Sequence, residues 1–310
     1  MEVMQMEAVQ MEAVQTGVSG GTSGRTPGGA WATASFAARV AEAVGRLGPL
    51  CAGIDPSAAL LESWGLRDDV RGLRSFCSTC VDAFAGVVAV IKPQVAFFER
   101  HGSAGVAELE RLLADSREAG LLVLADAKRG DIDTTAAAYA DAWLGDGSAL
   151  AADAVTVHPY LGLAALAPLI EMAGRTGRGV IVVTRSSNPE GRLIQEAITR
   201  TGDPVEESLL VEIARWNHST ETPSGTVGAV VGATLPKSVF PLSQLGGVIL
   251  APGLGAQGAR PADIAERFAG CAPGTVLPST SRALLGRGPN PSELRRAASD
   301  LAGELAAVLG

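Results

Sequence analysis

The chain has little that suits it to bind nucleic acid or to cross a membrane. Its 310 residues include only two Tyr and seven Phe, too few for a platform on which bases stack. The net charge is −8 and the basic residues are scattered, unlike those of a general nucleic-acid binder. No apolar run reaches the roughly 18 residues that cross a bilayer, and the N-terminus lacks the basic start and apolar stretch of a signal peptide. We therefore expect a cytoplasmic protein that binds neither nucleic acid nor membranes.

Cysteine is also scarce, with four residues at positions 51, 77, 80 and 271. Cys77 and Cys80 form one C-x-x-C pair, but no second pair and no cluster of histidines completes a zinc site. The sequence around the pair is typical of the middle of a helix, so we expect two buried thiols on one helix face. Four reduced thiols are typical of a cytoplasmic protein.

Residues 1–29 differ in composition from the rest of the chain. Three near-copies of a pentamer occupy 1–15, and a segment rich in Gly, Ser and Thr follows. Such a segment is typical of a mobile linker. We expect 1–29 to be a flexible low-complexity tail without a chemical role, and 30–310 to form a single domain.

From residue 31 onward, apolar runs alternate with amphipathic stretches. Runs that are nearly continuous in Val, Ile and Leu are typical of strands buried on both faces. There are eight, at 50–55, 87–94, 121–128, 154–159, 179–187, 227–234, 247–253 and 275–282. Helical patterns lie at 31–47, 57–86, 105–119, 134–151, 163–175, 204–219, 261–268 and 291–309. The alternation predicts an α/β fold, a (β/α)8 TIM barrel, with a doubly wound open sheet as the alternative.

The third run ends in Asp126 and Lys128, and Asp131 follows where a loop would begin. Residues two apart on a strand point to the same side, and the carboxyl ends of barrel strands meet on the face that carries the chemistry. Opposite charges held this close in a partly dry site shift each other's pKa. The sequence therefore indicates a catalytic cluster; a salt-bridge cluster at the surface is the alternative.

Other strand ends are polar as well. Asp55 ends the first run and Lys92 the second, although Asp55 before Pro-Ser also fits a helix cap and Lys92 also fits a surface lysine. His158 fits either a functional role or one in orienting its loop. The glycine-rich segment 253–258 has backbone N–H groups that can cradle a phosphate, and Arg282 follows one strand later. These two features predict a phosphate site.

Taken together, these motifs resemble orotidine 5′-phosphate decarboxylase in its longer bacterial branch, type 2. The matching segments lie in order at 52–56, 92–99, 126–132, 156–162, 187–191, 231–234, 251–258 and 281–282. They cover roughly residues 45–290, and jointly they are highly specific.

The resemblance implies a cofactor-free enzyme, without a metal, that converts orotidine 5′-phosphate to uridine 5′-phosphate and carbon dioxide. In that family an alternating Lys–Asp–Lys–Asp array lies at the carboxylate that leaves, and Lys92, Asp126, Lys128 and Asp131 match it. Lys128 would protonate the pyrimidine carbon, and Asp126 would crowd the substrate carboxylate.

The same resemblance assigns the substrate contacts and a homodimer. Asp131 would come from the partner subunit, with Ile132 beside it. The implied substrate-binding residues are Asp55, Ile132, Thr135, Ser187, Gly253, Gly255, Gln257, Gly258 and Arg282. Asp55 and Lys92 would bind ribose hydroxyls, Ser187 the pyrimidine, and the glycine loop with Arg282 the phosphate.

Two positions depart from the family pattern. Asp133 stands where the family usually has glycine or another small residue, and we expect it to cap the helix that follows. Ala259 stands where another glycine is common, which we expect to stiffen the phosphate loop.

Two rival functions stay open. One is a related barrel enzyme that acts on a sugar phosphate with magnesium, but such an enzyme would need an acidic metal ligand at the position where this chain has Lys92. The other is an inactive barrel that only binds nucleotides, for which loss of Lys128 or Asp131 would have been the sign.

Overall fold

Eight parallel strands close into a barrel in chain order, which confirms the predicted TIM barrel over the open sheet. The computed structural model describes residues 34–220, 222–236, 238–255 and 258–309, so the predicted tail at 1–29 lies outside the described residues. The strands are β1 Cys51–Ile54, β2 Val90–Pro93, β3 Leu122–Arg129, β4 Ala154–Val157, β5 Gly179–Arg185, β6 Val227–Val231, β7 Ile249–Pro252 and β8 Val276–Thr280.

Most of the amphipathic stretches form helices, as predicted. The α-helices are α1 Phe36–Leu47, α2 Ala58–Ser63, α3 Val70–Phe84, α4 Ala96–Glu99, α5 Gly102–Glu118, α6 Asp133–Leu144, α7 Ala167–Thr176, α8 Arg192–Gln195, α9 Val205–His218, α10 Pro261–Arg267, α11 Arg282–Leu285 and α12 Pro291–Leu309. One-turn 3-10 helices lie at Leu163–Leu166, Pro189–Gly191 and Leu242–Gln244.

The pattern at 57–86 was wrong as a single helix. Gly65 turns the chain after α2 with φ of 71°, in the left-handed region that favours glycine. Asp69 then starts α3 by accepting hydrogen bonds from the backbone N–H groups of Arg71 and Gly72. Between β6 and β7, the described residues form no α-helix, only the turn at Leu242–Gln244.

Helix α1 closes the amino-terminal end of the barrel. Phe36 and Val40 are fully buried and belong to the same apolar cluster as the interior strand residues. Gly179, the first residue of β5, has no room for a side chain, because an added Cβ would lie 2.6 Å from the Phe36 ring. The helix therefore plugs the end of the barrel opposite the strands' carboxyl ends.

Along several strands the inward-facing positions change from apolar to polar. Every second residue of a strand faces the interior, and the first inward residues form an apolar cluster. Two or four residues further on, the inward positions are polar: Cys51 leads to Asp55, Val90 to Lys92, Leu124 to Asp126, Ala154 to Thr156 and Leu277 to Ser279. At the carboxyl end of the barrel, an apolar interior is therefore followed by a layer of inward polar side chains, which we call the polar floor: Asp55, Lys92, Asp126, Thr156 and Ser279.

The C-x-x-C pair lies in the middle of α3, as predicted. Cys77 and Cys80 are both buried and both are free thiols. Within the described ranges, no helix has the length and hydropathy needed to pass through a bilayer.

Candidate active site

The carboxylate of Asp126 is the centre of the polar floor and accepts hydrogen bonds from four side chains. Lys92 Nζ lies 2.8 Å and Gln94 Nε2 3.1 Å from Asp126 Oδ2. Lys128 Nζ lies 2.5 Å and Thr156 Oγ1 2.9 Å from Oδ1. The structure therefore joins Lys92, Asp126 and Lys128 in one array, as the resemblance implied.

Burial and opposite charge act against each other in this array. The side chains of Lys92 and Asp126 are 9% and 10% exposed, so burial disfavours both charged forms. For Asp126, the ammonium groups of Lys92 and Lys128 outweigh burial and hold the pKa well below its ordinary value. For Lys92, the carboxylates of Asp126 and Asp55 outweigh burial and hold the pKa well above its ordinary value. Both groups are therefore charged at neutral pH.

Lys128 reaches the array from an unusual backbone conformation. Its φ is 49°, in the left-handed region that non-glycine residues rarely adopt. The parallel pairing of β3 with β4 shifts register between Ala125 and Arg129, so Lys128 lies in an irregular stretch of the strand. Its side chain is 49% exposed, which leaves the ammonium accessible from the mouth of the barrel.

Two buried oxygens near the array have no hydrogen-bond partner. One is Asp55 Oδ1, which lies just beyond β1, and the other is Ser281 Oγ, just beyond β8. Asp55 does not cap α2, because Ser57 does so by accepting a hydrogen bond from the backbone of Leu60. Buried polar atoms are nearly always paired, so these two oxygens are available to a polar ligand.

A pocket of about 110 Å³ opens beside Lys92, at the carboxyl ends of β7 and β8. Its lining residues are Lys92, Pro252, Gly253, Leu254, Ser279, Thr280, Ser281 and Arg282. Arg282 is exposed at the pocket's edge, at the start of α11. This pocket lies where the sequence predicted a phosphate site, and it holds a guanidinium that can bind one.

The glycine loop is folded on itself in its described part. Gly255 N donates to Ala259 O at 2.9 Å, and Gly258 N donates to Gly255 O at 2.8 Å. These two N–H groups are therefore occupied by hydrogen bonds within the loop in this conformation. Ala259 is buried and pairs with Leu254, which anchors the base of the loop. Gln257 lies outside the described residues.

The loop after β3 carries Asp131, the fourth charged residue of the implied array. Asp131 is half-buried, and its carboxylate accepts a hydrogen bond from the N–H of Ile132 at 2.8 Å. Within the described chain, no ion pair joins Asp131 to Lys92 or Lys128. Ile132 is 50% exposed and Thr135 is exposed on α6. The fourth member of the implied array is thus separate from the other three in one chain.

The expected cap at Asp133 was wrong. Asp133 is the first residue of α6, Ile132 takes the cap position, and no side chain caps this helix. Asp133 has φ of 46°, the left-handed region in which glycine is favoured and in which Asp is one of the better-tolerated alternatives. A glycine at this position would adopt that conformation without a steric penalty.

His158 and Ser187 lie beyond the carboxyl ends of the neighbouring strands β4 and β5. Ser187 is half-buried two residues beyond β5, in contact range of Gly232, whose added Cβ would lie 3.3 Å from Ser187 Cβ. His158 follows β4 and packs on Gly130, where an added Cβ would lie 2.6 Å from His158 O. His158 N donates to Arg129 O at 3.0 Å, so this residue supports the loop after β3.

Sequence reasoning missed Gln94 and Thr156 as members of the site. Both lie inside motifs that carried the resemblance, but only the packing of β2 and β4 against β3 brings them to Asp126. Their positions in the sequence could have indicated them. Gln94 lies two residues after Lys92, and Thr156 is the last inward residue of its strand. Among the described residues, no group of three or more His, Cys, Asp or Glu side chains could hold a metal ion.

Comparison with known proteins gives a consistent result. Residues 48–297 match the model of the orotidine 5′-phosphate decarboxylase / HUMPS family. The orotidine 5′-phosphate decarboxylase of Salinispora tropica is 51% identical over 275 residues, which cover 89% of this chain and 98% of the relative. That of Streptomyces coelicolor is 49% identical over 271 residues, covering 87% and 96%. A crystal structure described as this enzyme from Streptomyces avermitilis has a TM-score of 0.83 and 49% identity, covering 89% and 96%.

Proposed function

The chain belongs to the orotidine 5′-phosphate decarboxylase family, and from this premise we propose that it is a carboxy-lyase of uridine 5′-phosphate biosynthesis. It converts orotidine 5′-phosphate to uridine 5′-phosphate and carbon dioxide. The observation that carries the proposal is the buried Asp126 carboxylate held between the ammonium groups of Lys92 and Lys128 at the carboxyl end of the barrel.

Lys128 is the proton donor in this proposal. When the bond to the substrate carboxylate breaks, carbon dioxide leaves and the electron pair stays on the pyrimidine carbon. The Lys128 ammonium, half exposed at the barrel mouth, stabilises this carbanion and gives it a proton. Solvent then returns a proton to the lysine, so each turnover consumes one proton.

Asp126 performs two tasks. Its charge, kept by the low pKa, holds Lys128 in place beside the reacting carbon. It also lies close to the substrate carboxylate, and the repulsion between the two negative charges is relieved when carbon dioxide leaves. No cofactor takes part in this proposal, because the positive charge of Lys128 stabilises the carbanion that a cofactor would otherwise have to stabilise as an electron acceptor.

The remaining substrate contacts follow from the polar floor. Asp55, whose Oδ1 has no partner, binds ribose hydroxyls together with Lys92. Arg282 binds the phosphate in the pocket between β7 and β8. We assign Gly253, Gly255, Gln257 and Gly258 to the same phosphate, with the loop's internal hydrogen bonds rearranging as the loop closes. Ser187 contacts the pyrimidine.

A homodimer completes the site. Asp131, Ile132 and Thr135 contribute to the partner's substrate, which accounts for the exposure of Ile132 and Thr135 and for the lack of an ion pair between Asp131 and the two lysines of its own chain. Support comes from exposed apolar side chains in the loops after β3 and β4, where Ile132 is 50% and Tyr160 74% exposed. Burial of these side chains against a partner would remove apolar surface from water. With its four thiols, three of them buried, the enzyme is a cytoplasmic protein.

Mixing two inactive variants tests the dimer. Subunits carrying Lys128→Ala and subunits carrying Asp131→Ala should regain activity when they exchange, because one of the two hybrid sites has both residues. No recovery after confirmed exchange would contradict a shared site.

Absorbance of the orotate chromophore tests the activity itself. Purified protein in excess chelator should consume orotidine 5′-phosphate and release equal amounts of uridine 5′-phosphate and carbon dioxide. Loss of activity in chelator would favour the magnesium-dependent sister reaction. Binding of uridine 5′-phosphate without turnover would favour an inactive nucleotide-binding barrel.

A further inference from the structure

The hydroxyl of Thr156 touches both halves of the Asp126–Lys128 pair. We propose that Thr156 is a positioning residue for the decarboxylation: it fixes the Asp126 carboxylate and the Lys128 backbone so that the ammonium is held at the reacting carbon. This inference rests on the proposed function and adds a residue that acts through Asp126 and Lys128 without touching substrate.

The register of the barrel creates the need for such a residue. In the pairing of β3 with β4, Ala125 lies opposite Val155 and Arg129 opposite Val157. The intervening stretch of β3, residues 126–128, therefore faces the single residue Thr156. In a bulge of this kind the extra backbone groups lose their partners across the ladder. The N–H of Lys128 finds its partner in the Thr156 side chain, at 3.0 Å from Oγ1.

The directions of the two Thr156 hydrogen bonds are fixed by chemistry. The Lys128 N–H can only donate, and the ionised Asp126 carboxylate can only accept. The Thr156 hydroxyl must therefore accept from Lys128 and give its single proton to Asp126 Oδ1, 2.9 Å away. Thr156 is 1% exposed, so solvent does not compete for either bond. The arrangement has one orientation.

The same oxygen receives the catalytic lysine. Lys128 Nζ contacts Asp126 Oδ1 at 2.5 Å, so Thr156 and the ammonium share one acceptor atom. The carbonyl of the peptide unit that carries the Lys128 N–H is Ala127 O, which accepts from Arg129 Nη1 at 2.9 Å. Thr156 and Arg129 therefore hold the two polar groups of the peptide unit that precedes Lys128, whose φ is 49°. Local strain persists only where its surroundings enforce it, and it is common at functional sites.

A purely structural role would predict a different pattern of effects. If Thr156 only satisfied buried polar groups, its loss would lower stability and leave the turnover of the folded enzyme unchanged. If it positions Lys128, its loss lowers kcat while the substrate's phosphate and ribose contacts, and hence KM, stay the same. A serine, which keeps the hydroxyl, should restore the function.

The test compares Thr156→Val, Thr156→Ser and a matched control, Thr184→Val. Thr184 is a buried strand threonine whose hydroxyl donates to Val230 O at 2.7 Å, remote from the bonds of Asp126. With orotidine 5′-phosphate as substrate, we expect Thr156→Val to lower kcat about 10- to 100-fold, the effect of one hydrogen bond to a charged group, with KM changed less than about twofold. Thr156→Ser should stay within about threefold of wild type, and Thr184→Val should keep the wild-type kcat.

Several outcomes would overturn the inference while leaving the proposed function intact. One is a wild-type kcat for Thr156→Val; another is an equal fall for Thr156→Ser and Thr156→Val. A wild-type protein without turnover would instead overturn the proposed function. A crystal structure of Thr156→Val gives a readout independent of activity: Lys128 should leave the positive-φ region or draw away from Asp126. An unchanged Lys128 there would contradict the inference.

Discussion

Replacing Asp126 by Asn should destabilise the fold as well as stop catalysis. The substitution preserves shape but removes the charge that compensates Lys92, whose side chain is 9% exposed and whose ammonium bonds Asp126 at 2.8 Å. A buried ammonium without its counter-ion is costly, because it cannot recover its hydration. Lys128 is half exposed and stays solvated, so Lys92 dominates the effect.

The expected loss is about 3–5 kcal/mol in the free energy of unfolding, the usual range when one partner of a buried ion pair is removed. Asp55 also stabilises the charge of Lys92, which favours the lower end, about 3 kcal/mol. If the stranded charge is the cause, Lys92→Met combined with Asp126→Asn should be more stable than Asp126→Asn alone, by about 2 kcal/mol.

Guanidinium unfolding at pH 7, followed by circular dichroism, measures these values. The control is Glu196→Gln, which breaks an exposed pair with Arg192 whose side chains are 67% and 49% exposed. That change should cost no more than about 0.5 kcal/mol. A stability of Asp126→Asn within about 1 kcal/mol of wild type, or a further loss when Lys92→Met is added, would rule out the unpaired Lys92 charge as the cause.

Three further predictions concern pH, thiol chemistry and packing. The depressed pKa of Asp126 gives stability that is present above the pKa of about 4 that this group has in the unfolded chain, and that is lost as pH falls below that value. The raised pKa of Lys92 gives stability that is present below the unfolded pKa of about 10 and is lost as pH rises above that value. The stability difference between wild type and the Lys92→Met/Asp126→Asn double variant should therefore be flat near neutrality and shrink at both extremes; a constant difference would contradict the assignment. Burial raises the pKa of the Cys51 thiol to about 11, and only Cys271 of the four cysteines is partly exposed. A thiol reagent should therefore label one cysteine in the native protein and four in denaturant. Rapid labelling of a second cysteine in the native protein would show that another thiol is accessible to solvent. Gly130→Ala should cost about 1–3 kcal/mol, because its Cβ would lie 2.6 Å from a backbone oxygen; unchanged stability in thermal unfolding would show that this loop can yield.

The barrel and the core of the site were predictable because they follow from local periodicity. Continuous apolar runs indicated the eight strands, and the spacing of two between Asp126 and Lys128 predicted that their side chains lie on the same side of the strand. The two side chains are in contact at 2.5 Å, although Lys128 reaches Asp126 from an irregular stretch of β3 and not through regular strand alternation.

What the sequence could not supply depends on the register between strands. Thr156 meets Lys128 only because a bulge lets residues 126–128 face a single residue of β4, and nothing in the order of residues marks that bulge. The backbone conformation of Asp133 and the internal hydrogen bonds of Gly255 and Gly258 have the same origin in tertiary packing. The sequence motifs indicated which residues form the site, whereas the tertiary packing determines which of their polar atoms are available to a ligand.

The role of Lys128 as proton donor is tested most directly by the turnover of Lys128→Ala beside its affinity for uridine 5′-phosphate. The variant should bind the product within about tenfold of wild type, because the phosphate and ribose contacts remain, while kcat for orotidine 5′-phosphate should fall by at least about a thousandfold. Decarboxylation by Lys128→Ala at close to the wild-type rate would show that Lys128 is not the proton donor.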